Sequence, residues 1–257
     1  MFGSGGGITE YRAAMLASRG FITYALPYFN HDDLPTDMTE ISFDYLKESA
    51  EWFSQYPKVI KDGIGVMGVS KGGELALMLS TQCSEIKSVV NINGTPFPSY
   101  SPIGPFTEFV DADVGKYRYE EDGMFIYDGL NANLKTEHIF KTWESNTQIM
   151  YIVGEDDQST DPKYAQMLYD LYPENQRHKL TVLRYRNAGH LIEPCYTPFC
   201  RSSYHKVYGI VFVWGGEMEA HAKAQEDSWR SIQDFFKSTL VPNHCGQART
   251  TNISSQL

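Results

Sequence analysis

A serine between glycines is the residue of this sequence best suited to act as a nucleophile. Residues 68–72 read Gly-Val-Ser-Lys-Gly, after a strand-like run at 64–67 and before a helix-like run at 74–79. In a nucleophile elbow, a tight strand-to-helix turn holds the serine hydroxyl clear of the backbone, and glycines are needed where strand and helix nearly touch. A Gly-rich turn that merely needs small residues would look the same. The pattern makes Ser70 a candidate whose assignment depends on its partners.

A carboxylate and a histidine follow the serine along the chain. Asp156 and Asp157 lie in an acidic loop after the apolar run 151–154, and His190 follows the strand-like run 179–185. An imidazole can take the serine proton, while a carboxylate fixes the histidine tautomer and stabilises the imidazolium that forms. Serine, acid, histidine is the chain order of the α/β-hydrolases, and this order favours a triad over three unrelated surface residues.

The two aspartates are not separated rigorously by the sequence. We favour Asp157 as the acid, because in this fold the acid commonly lies three residues after the glycine that ends the strand, here Gly154. Asp156 would then be a neighbouring loop carboxylate.

Two backbone N–H groups are predicted to form an oxyanion hole. One belongs to Lys71, the residue after the nucleophile, and the other to the Gly-rich loop Phe2-Gly-Ser-Gly-Gly-Gly7, for which we take Gly5. The helix-like run that follows at 9–18 supports this interpretation. A cloning linker, a flexible terminus or a phosphate-binding loop would also be rich in glycine.

Longer motifs extend the pattern over residues 2–240. They are Phe2-Gly-Ser-Gly-Gly-Gly-Ile-Thr-Glu-Tyr-Arg12, Gly68-Val-Ser-Lys-Gly72, Val153-Gly-Glu-Asp-Asp157, Ala188-Gly-His-Leu-Ile-Glu-Pro194 and Val213-Trp-Gly-Gly-Glu217. Together they resemble the C-terminal catalytic domain shared by acyl-CoA thioesterases and bile acid-CoA:amino acid N-acyltransferase. The resemblance implies an α/β-hydrolase domain that acts on fatty or bile acyl-CoA through Ser70, Asp157 and His190, with CoA as part of the substrate and no separate cofactor or metal.

The nucleophile bears on which reaction the resemblance implies. The amino acid transferases of the family typically use cysteine, and this chain has Ser70. An acyl ester on serine is less prone to attack by an amine than a thioester on cysteine, so we expect hydrolysis. Transfer to glycine or taurine is the alternative, a carboxylesterase comes third, and a non-catalytic paralogue is the rival outside the enzymes.

The charge and composition of the chain argue against some classes of binding partner. A formal charge of −10 argues against nucleic acid or an anionic membrane as a general partner, and an acyl-CoA substrate would need a local basic patch. The basic residues near the site in sequence order are Lys71, Arg186, Arg201 and Lys206, each more often a solvated surface charge. The four cysteines fit neither a zinc site nor a disulfide framework, and no run of 18 apolar residues occurs.

Alternating helices and strands predict an α/β fold with a mostly parallel sheet and helices on both faces. We expect strands at 21–26, 64–69, 86–93, 148–153 and 179–185, and helices at 9–18, 42–56, 71–82, 162–172 and 220–240. Residues 96–147 interrupt the alternation and are predicted to form a cap-like insertion. Its aromatic residues could line an acyl groove, although packing under a long insertion is the commoner role.

The two ends of the chain carry further expectations. The resemblance implies a β-sandwich domain and the first strands of the hydrolase sheet before the Gly-rich loop. One of these strands would lie centrally, between the strands at 21–26 and 64–69. We expect a chain that starts at the loop to lack this domain and these strands. We assign 1–241 to the catalytic domain and 242–257 to a flexible tail. The ending Ser255-Gln256-Leu257 resembles a peroxisomal import signal read by a receptor, so we predict a peroxisomal protein, with the cytosol as the alternative.

Overall fold

A parallel four-stranded sheet is the centre of the molecule. The computed structural model describes residues 1–131 and 133–241. The sheet has the strand order β1-β2-β5-β6, and all three pairings are parallel. Its strands are β1 (Ile64–Val69), β2 (Ile86–Ile92), β5 (Gln148–Gly154) and β6 (Leu180–Tyr185). The four corresponding predictions are confirmed to within one residue at each end.

Helices cover both faces of this sheet, as predicted. One face carries α2 (Phe43–Ser54), α3 (Lys71–Ser80) and α5 (Lys163–Leu171), and the other carries α1 (Tyr11–Ala17) and α6 (Met218–Leu240). The side chain of Ser42 caps α2 by accepting a hydrogen bond from the Tyr45 amide. In α6 the buried residues Trp229, Ile232 and Phe236 recur at helical spacing and pack on the sheet.

A second, smaller sheet was not predicted. It has the order β3-β4-β8-β7 and consists of β3 (Arg118–Glu120), β4 (Gly123–Phe125), β7 (Ser202–His205) and β8 (Ile210–Val213). The insertion between β2 and β5 supplies β3, β4 and the short helix α4 (Tyr127–Asn131), while β7 and β8 form a hairpin after the histidine loop. These strands have three or four residues each, too few for an alternation of apolar and polar side chains to be recognised.

The predicted strand at 21–26 is wrong. These residues form neither helix nor strand, and between them and β1 lies an apolar cleft of about 470 Å³. At one end of the cleft Met1 runs parallel to β1, since its nitrogen donates to the Met67 carbonyl at 2.5 Å and its carbonyl accepts from the Val69 amide at 3.3 Å. A strand needs a hydrogen-bonded neighbour, and residues 21–26 have none at the distance the cleft imposes. The cleft occupies the place where the family resemblance puts a further strand.

Several predictions concern residues outside the described part of the chain. The tail at 242–257, with its C-terminal Ser255-Gln256-Leu257, lies there, and so does Cys245. Within the described residues Cys83, Cys195 and Cys200 are free thiols. None of the helices described in 1–131 and 133–241 is both long and apolar enough to cross a membrane.

A buried ion pair ties the start of the insertion to α3. The Lys71 ammonium donates to Glu74 at 2.6 Å and to the Ser99 carbonyl at 2.9 Å, and both side chains are almost fully buried. The Glu74 carboxylate also accepts from Thr95 Oγ1 at 2.8 Å, from the Ser99 amide at 3.1 Å and from the Ser99 hydroxyl. The Lys71 side chain therefore serves the fold and is not available to a CoA phosphate.

Lys71→Met should destabilise the protein, because it leaves the Glu74 carboxylate buried without its cation. We expect a loss of about 3–5 kcal/mol in the free energy of unfolding, measured by urea denaturation. The control is Lys71→Met with Glu74→Gln, in which no buried charge remains; it should recover about half of that loss or more. Equal stability of the single and double variants would contradict the assignment of the loss to an unpaired charge.

Candidate active site

Ser70 occupies a strained turn between β1 and α3. Its backbone lies at φ 56° and ψ −124°, a conformation uncommon for any residue but glycine. Close contacts surround the turn: a Cβ on Gly68 would lie 2.0 Å from the Gly72 carbonyl oxygen, and one on Gly72 would lie 2.3 Å from the Phe2 carbonyl oxygen. Both flanking glycines are thus required sterically. The half-buried Ser70 side chain stands at the N-terminus of α3, as a nucleophile elbow requires.

Asp157 and His190 form a buried pair. The Oδ2 atom of Asp157 lies 2.7 Å from Nδ1 of His190, and both side chains are 1% exposed. The other oxygen, Oδ1, accepts from the amides of Ser159 and Thr160 at 2.7 and 2.8 Å, which fixes the carboxylate's orientation. Because the carboxylate only accepts, Nδ1 of the neutral ring carries the proton and Nε2 is the basic nitrogen.

Asp156 has a different set of partners. Its carboxylate accepts from the Gly216 amide and from the Gln158 side chain, both at 2.7 Å, and lies 3.8 Å from the Arg201 guanidinium. The structure thus pairs Asp157 with His190 and places Asp156 against the loop after β8.

In a working triad the serine hydroxyl forms a hydrogen bond with the histidine ring. Within the described residues the structure has none between the Ser70 hydroxyl and the His190 ring. In enzymes without bound substrate this contact is often long and tightens when the substrate binds. The Trp214 ring stacks on the His190 ring with 5.4 Å between centroids, and the Trp214 carbonyl accepts from the His190 amide at 2.8 Å.

Asn93 connects the acid loop with the histidine loop, a role that the sequence did not reveal. Its Nδ2 donates to the carbonyls of His190 at 2.7 Å and Gly189 at 3.2 Å, and its Oδ1 accepts from the Gly154 amide at 2.8 Å. Asn93 lies directly after β2 at φ 51°, a left-handed conformation in which asparagine is enriched. Its position at the carboxyl end of a buried strand was the available signal.

The histidine loop has two further supports, one from His221 and one through Glu193. His221 accepts from the Gly189 amide through Nδ1 at 3.1 Å and donates from Nε2 to the Leu191 carbonyl at 2.7 Å. Burial lowers the pKa of His221, in keeping with this neutral tautomer. Glu193 accepts from the Tyr11 hydroxyl at 2.5 Å and from Nε of Arg12 at 2.6 Å, which ties the loop to α1.

The Gly-rich loop lies against the nucleophile. A Cβ on Gly3 would lie 3.1 Å from Cβ of Ser70, so Gly3 is the loop residue in contact with the serine. A Cβ on Gly5 would meet nothing within 4 Å, so Gly5 borders open space. The Phe2 ring stacks on Tyr28 with 4.1 Å between centroids, which anchors the start of the loop.

The remaining candidate residues have scattered locations. Arg186, Arg201 and Lys206 are exposed, and of these Lys206 lies next to the loop, 3.8 Å from the position of a Cβ on Gly7. Three aromatic residues of the insertion form edge-to-face pairs: Phe97 with Tyr164, and Phe106 with Phe140. Among the described residues, Glu108, Glu137 and His138 lie close enough to hold a metal ion, on the surface of the insertion.

Comparison with known protein families identifies the family of this chain. Residues 41–242 match the family described as BAAT / Acyl-CoA thioester hydrolase C terminal. The chain belongs to this family. The BAAT / acyl-CoA thioester hydrolase match covers the elbow, the acid loop and the histidine loop, and it confirms the resemblance seen in the motifs.

Named relatives fall into both branches of the family. The chain is 35% identical to the bile acid-CoA:amino acid N-acyltransferase of Mus musculus, with 96% of this chain and 60% of that protein covered. It is 36% identical to acyl-coenzyme A amino acid N-acyltransferase 2 of Mus musculus, covering 94% and 59%. Human acyl-coenzyme A thioesterase 1 is 34% identical over 93% of this chain and 59% of its own length. The chain spans about three fifths of the length of these relatives.

Solved structures identify the fold. Acylaminoacyl peptidase from Pyrococcus horikoshii matches with a TM-score of 0.57 and 16% identity, over 96% of this chain and 37% of that one. The monoacylglycerol lipase of Paleococcus ferrophilus matches with a TM-score of 0.55 and 15% identity, over 93% of each chain. This family domain therefore has the α/β-hydrolase fold, and at these identities the likeness concerns the fold alone.

The two aspartates should differ in their effect on the reactivity of Ser70. Asp157→Asn removes the acceptor that holds the His190 tautomer, so labelling of Ser70 by a fluorophosphonate should slow by about 10³–10⁴-fold. Asp156→Asn keeps the Asp157–His190 pair and should slow labelling by less than about tenfold. The label would be followed by intact-protein mass spectrometry. Equal losses, or a larger loss for Asp156→Asn, would contradict the assignment of Asp157.

Proposed function

We propose that this chain is the catalytic domain of a serine acyl-CoA thioesterase, which hydrolyses fatty or bile acyl-CoA to the free acid and CoA. The observation that carries the proposal is the buried Asp157–His190 pair, 2.7 Å apart, in an α/β-hydrolase fold whose Ser70 stands on a nucleophile elbow. Relatives named acyl-CoA thioesterase support the substrate class. CoA enters as part of the substrate, and the mechanism needs no separate cofactor.

Acylation in this proposal uses Ser70, His190 and Asp157. Ser70 Oγ attacks the thioester carbonyl carbon while Nε2 of His190 takes the hydroxyl proton. The carbonyl oxygen becomes an oxyanion, and the backbone N–H groups of Lys71 and Gly5 are proposed to stabilise it. When the C–S bond breaks, the imidazolium returns its proton to the CoA sulfur, which leaves an acyl ester on Ser70.

Deacylation uses the same groups with water. His190 takes a proton from a water molecule, whose oxygen attacks the acyl carbon and forms a second oxyanion. When the bond to Ser70 Oγ breaks, His190 returns the proton to that oxygen, and the acid is released. An oxygen ester resists attack by amines more than a thioester does, so a serine nucleophile favours water as the acceptor.

Transfer of the acyl group to an amino acid is the second candidate. It is favoured by the relatives named as N-acyltransferases, which are as similar to this chain as the thioesterases are. In that reaction the amine of glycine or taurine would replace water in the second step, and the product would be an amide. The predicted peroxisomal location rests on residues 255–257 and stays a proposal for either reaction.

Thiol release from acyl-CoA tests the proposed function. Purified protein should release CoA from palmitoyl-CoA or a bile acyl-CoA, and Ser70→Ala should reduce the rate by about 10³-fold or more. The assay is run with and without glycine, and the products are identified by mass spectrometry. Free acid as the only product supports the thioesterase, an amide product supports the transferase, and no release by a folded chain contradicts both.

Two substitutions of Gly5 test its proposed N–H donor. Gly5→Ala keeps the N–H, and its Cβ meets nothing within 4 Å, so the thiol release rate should change by less than about threefold. Gly5→Pro removes the N–H and should lower kcat by about 10²–10³-fold with little change in KM. Thermal melting of both variants is the control for folding. Equal activity of the two variants would show that another residue, such as the neighbouring Gly3 or Ser4, provides the donor.

A further inference from the structure

A second histidine reaches the Gly-rich loop from the small sheet. His205 ends β7, is buried, and places its Nε2 3.0 Å from the hydroxyl of Ser4. Its other ring nitrogen, Nδ1, is buried without a partner among the described residues. Buried polar atoms are normally hydrogen-bonded, so a histidine kept in this environment calls for an explanation.

The bond to Ser4 holds the part of the loop between its packed ends, one of which includes Gly6, where a Cβ would lie 2.6 Å from Cβ of Asn30. The start of the loop is fixed by Phe2, which stacks on Tyr28, and its end by Gly7, whose amide donates to the Phe29 carbonyl at 3.0 Å. Ser4 follows the residue that touches Ser70 and precedes Gly5, which borders open space. The middle of the loop is therefore held from the side by His205.

The surroundings of His205 favour a neutral ring. Its ring packs against Tyr208 and Phe212, with centroids 4.9 and 4.7 Å away. Burial lowers the pKa of His205, and Lys206 and His190 lower it further. A neutral ring bonds the Ser4 hydroxyl in either tautomer, because a hydroxyl both donates and accepts. A protonated ring would instead place a second N–H against apolar side chains.

The hairpin that carries His205 also supports the base. Trp214 directly follows β8, and it stacks on His190 and accepts a hydrogen bond from the His190 amide. One hairpin thus contacts the Gly-rich loop through His205 and the histidine loop through Trp214. A shift of this hairpin would move the two parts of the site together.

We propose that His205 is a positioning residue for catalysis, which acts through Ser4 to hold the Gly-rich loop at its working distance from Ser70. The inference rests on the proposed function, because it assigns the oxyanion donor to that loop. A small shift of the loop would matter, because a displacement of about 1 Å in an active site can lower the reaction rate by about 10²-fold.

A double-mutant cycle tests the pair. His205→Leu and Ser4→Ala should each lower kcat for palmitoyl-CoA by about 10–10²-fold, with KM changed by less than about threefold. The double variant should be no slower than the slower single variant, because both substitutions remove the same contact. His205→Gln, whose amide can bond the Ser4 hydroxyl, should recover most of the lost rate.

Two substrate analogues, one with a carbonyl and one without, show whether His205 positions the oxyanion donor or only stabilises the fold. A ketone analogue of palmitoyl-CoA, with a CF2 group between the carbonyl carbon and the CoA sulfur, forms an oxyanion on Ser70, so its affinity should fall by the same factor as kcat. The thioether analogue has no carbonyl, so its affinity should stay within about twofold. Thermal melting accompanies both measurements.

Four results would overturn the proposal. In the kinetics they are an unchanged kcat in the single variants, or losses of kcat that add up in the double variant. The other two are an equal loss of affinity for both analogues, or losses of kcat that follow the melting temperature and persist in His205→Gln. If the wild-type protein hydrolyses no acyl-CoA, the proposed function fails separately. The same cycle is then run on acylation of Ser70 by p-nitrophenyl acetate, which also forms an oxyanion. A wild-type chain that reacts with neither substrate overturns both proposals.

Discussion

The side-chain amide of Asn93 is the interaction on which the geometry of the site depends. It accepts from the amide of Gly154 at the end of β5 and donates to the carbonyls of Gly189 and His190. Three chain segments far apart in sequence are joined by one planar group, buried where water cannot compete for its bonds. The Asp157–His190 pair follows from this junction, because each of its members lies within three residues of a backbone group that Asn93 holds.

Close packing fixes the position of Ser70, the third residue of the candidate site. At the elbow, Gly68 and Gly72 approach backbone atoms so closely that any side chain would push β1 from α3 or α3 from the Gly-rich loop. The strained backbone of Ser70 is maintained by this packing and by its amide, which donates to the Ile92 carbonyl at 2.8 Å. Hydrogen bonds thus position Asp157 and His190, while close packing positions Ser70. Both devices act at the carboxyl ends of parallel strands, where the loops of an α/β sheet converge.

The sequence predicted the features that depend on local pattern. Strands β1, β2 and β5 are mostly buried runs, β6 is a partly buried strand at the edge of the sheet, and α6 repeats its apolar residues at helical spacing, so each could be recognised from its own residues. The choice of Asp157 to face the histidine also came from local spacing. Asn93, His205 and His221 could not be found this way, because their partners are backbone groups and a hydroxyl distant in sequence. The buried ion pair of Lys71 was missed for the same reason: its surroundings include Ser99, which only the folded chain brings near.

Residues 21–26 have a strand-like sequence pattern but form no strand, because no neighbouring strand in the described part of the chain is close enough to share hydrogen bonds with them. These residues run beside the sheet, but the apolar cleft separates them from β1, and Met1 bonds that edge of β1 at one end of the cleft. Met1 leads into the Gly-rich loop, so its bonds to β1 anchor the same loop that Ser4 contacts through His205. The backbone bonds of Met1 and the side-chain bond of Ser4 therefore act on one segment. Together they hold the loop beside Ser70, and this is why a single hydrogen bond at 3.0 Å can bear on the rate of the proposed reaction.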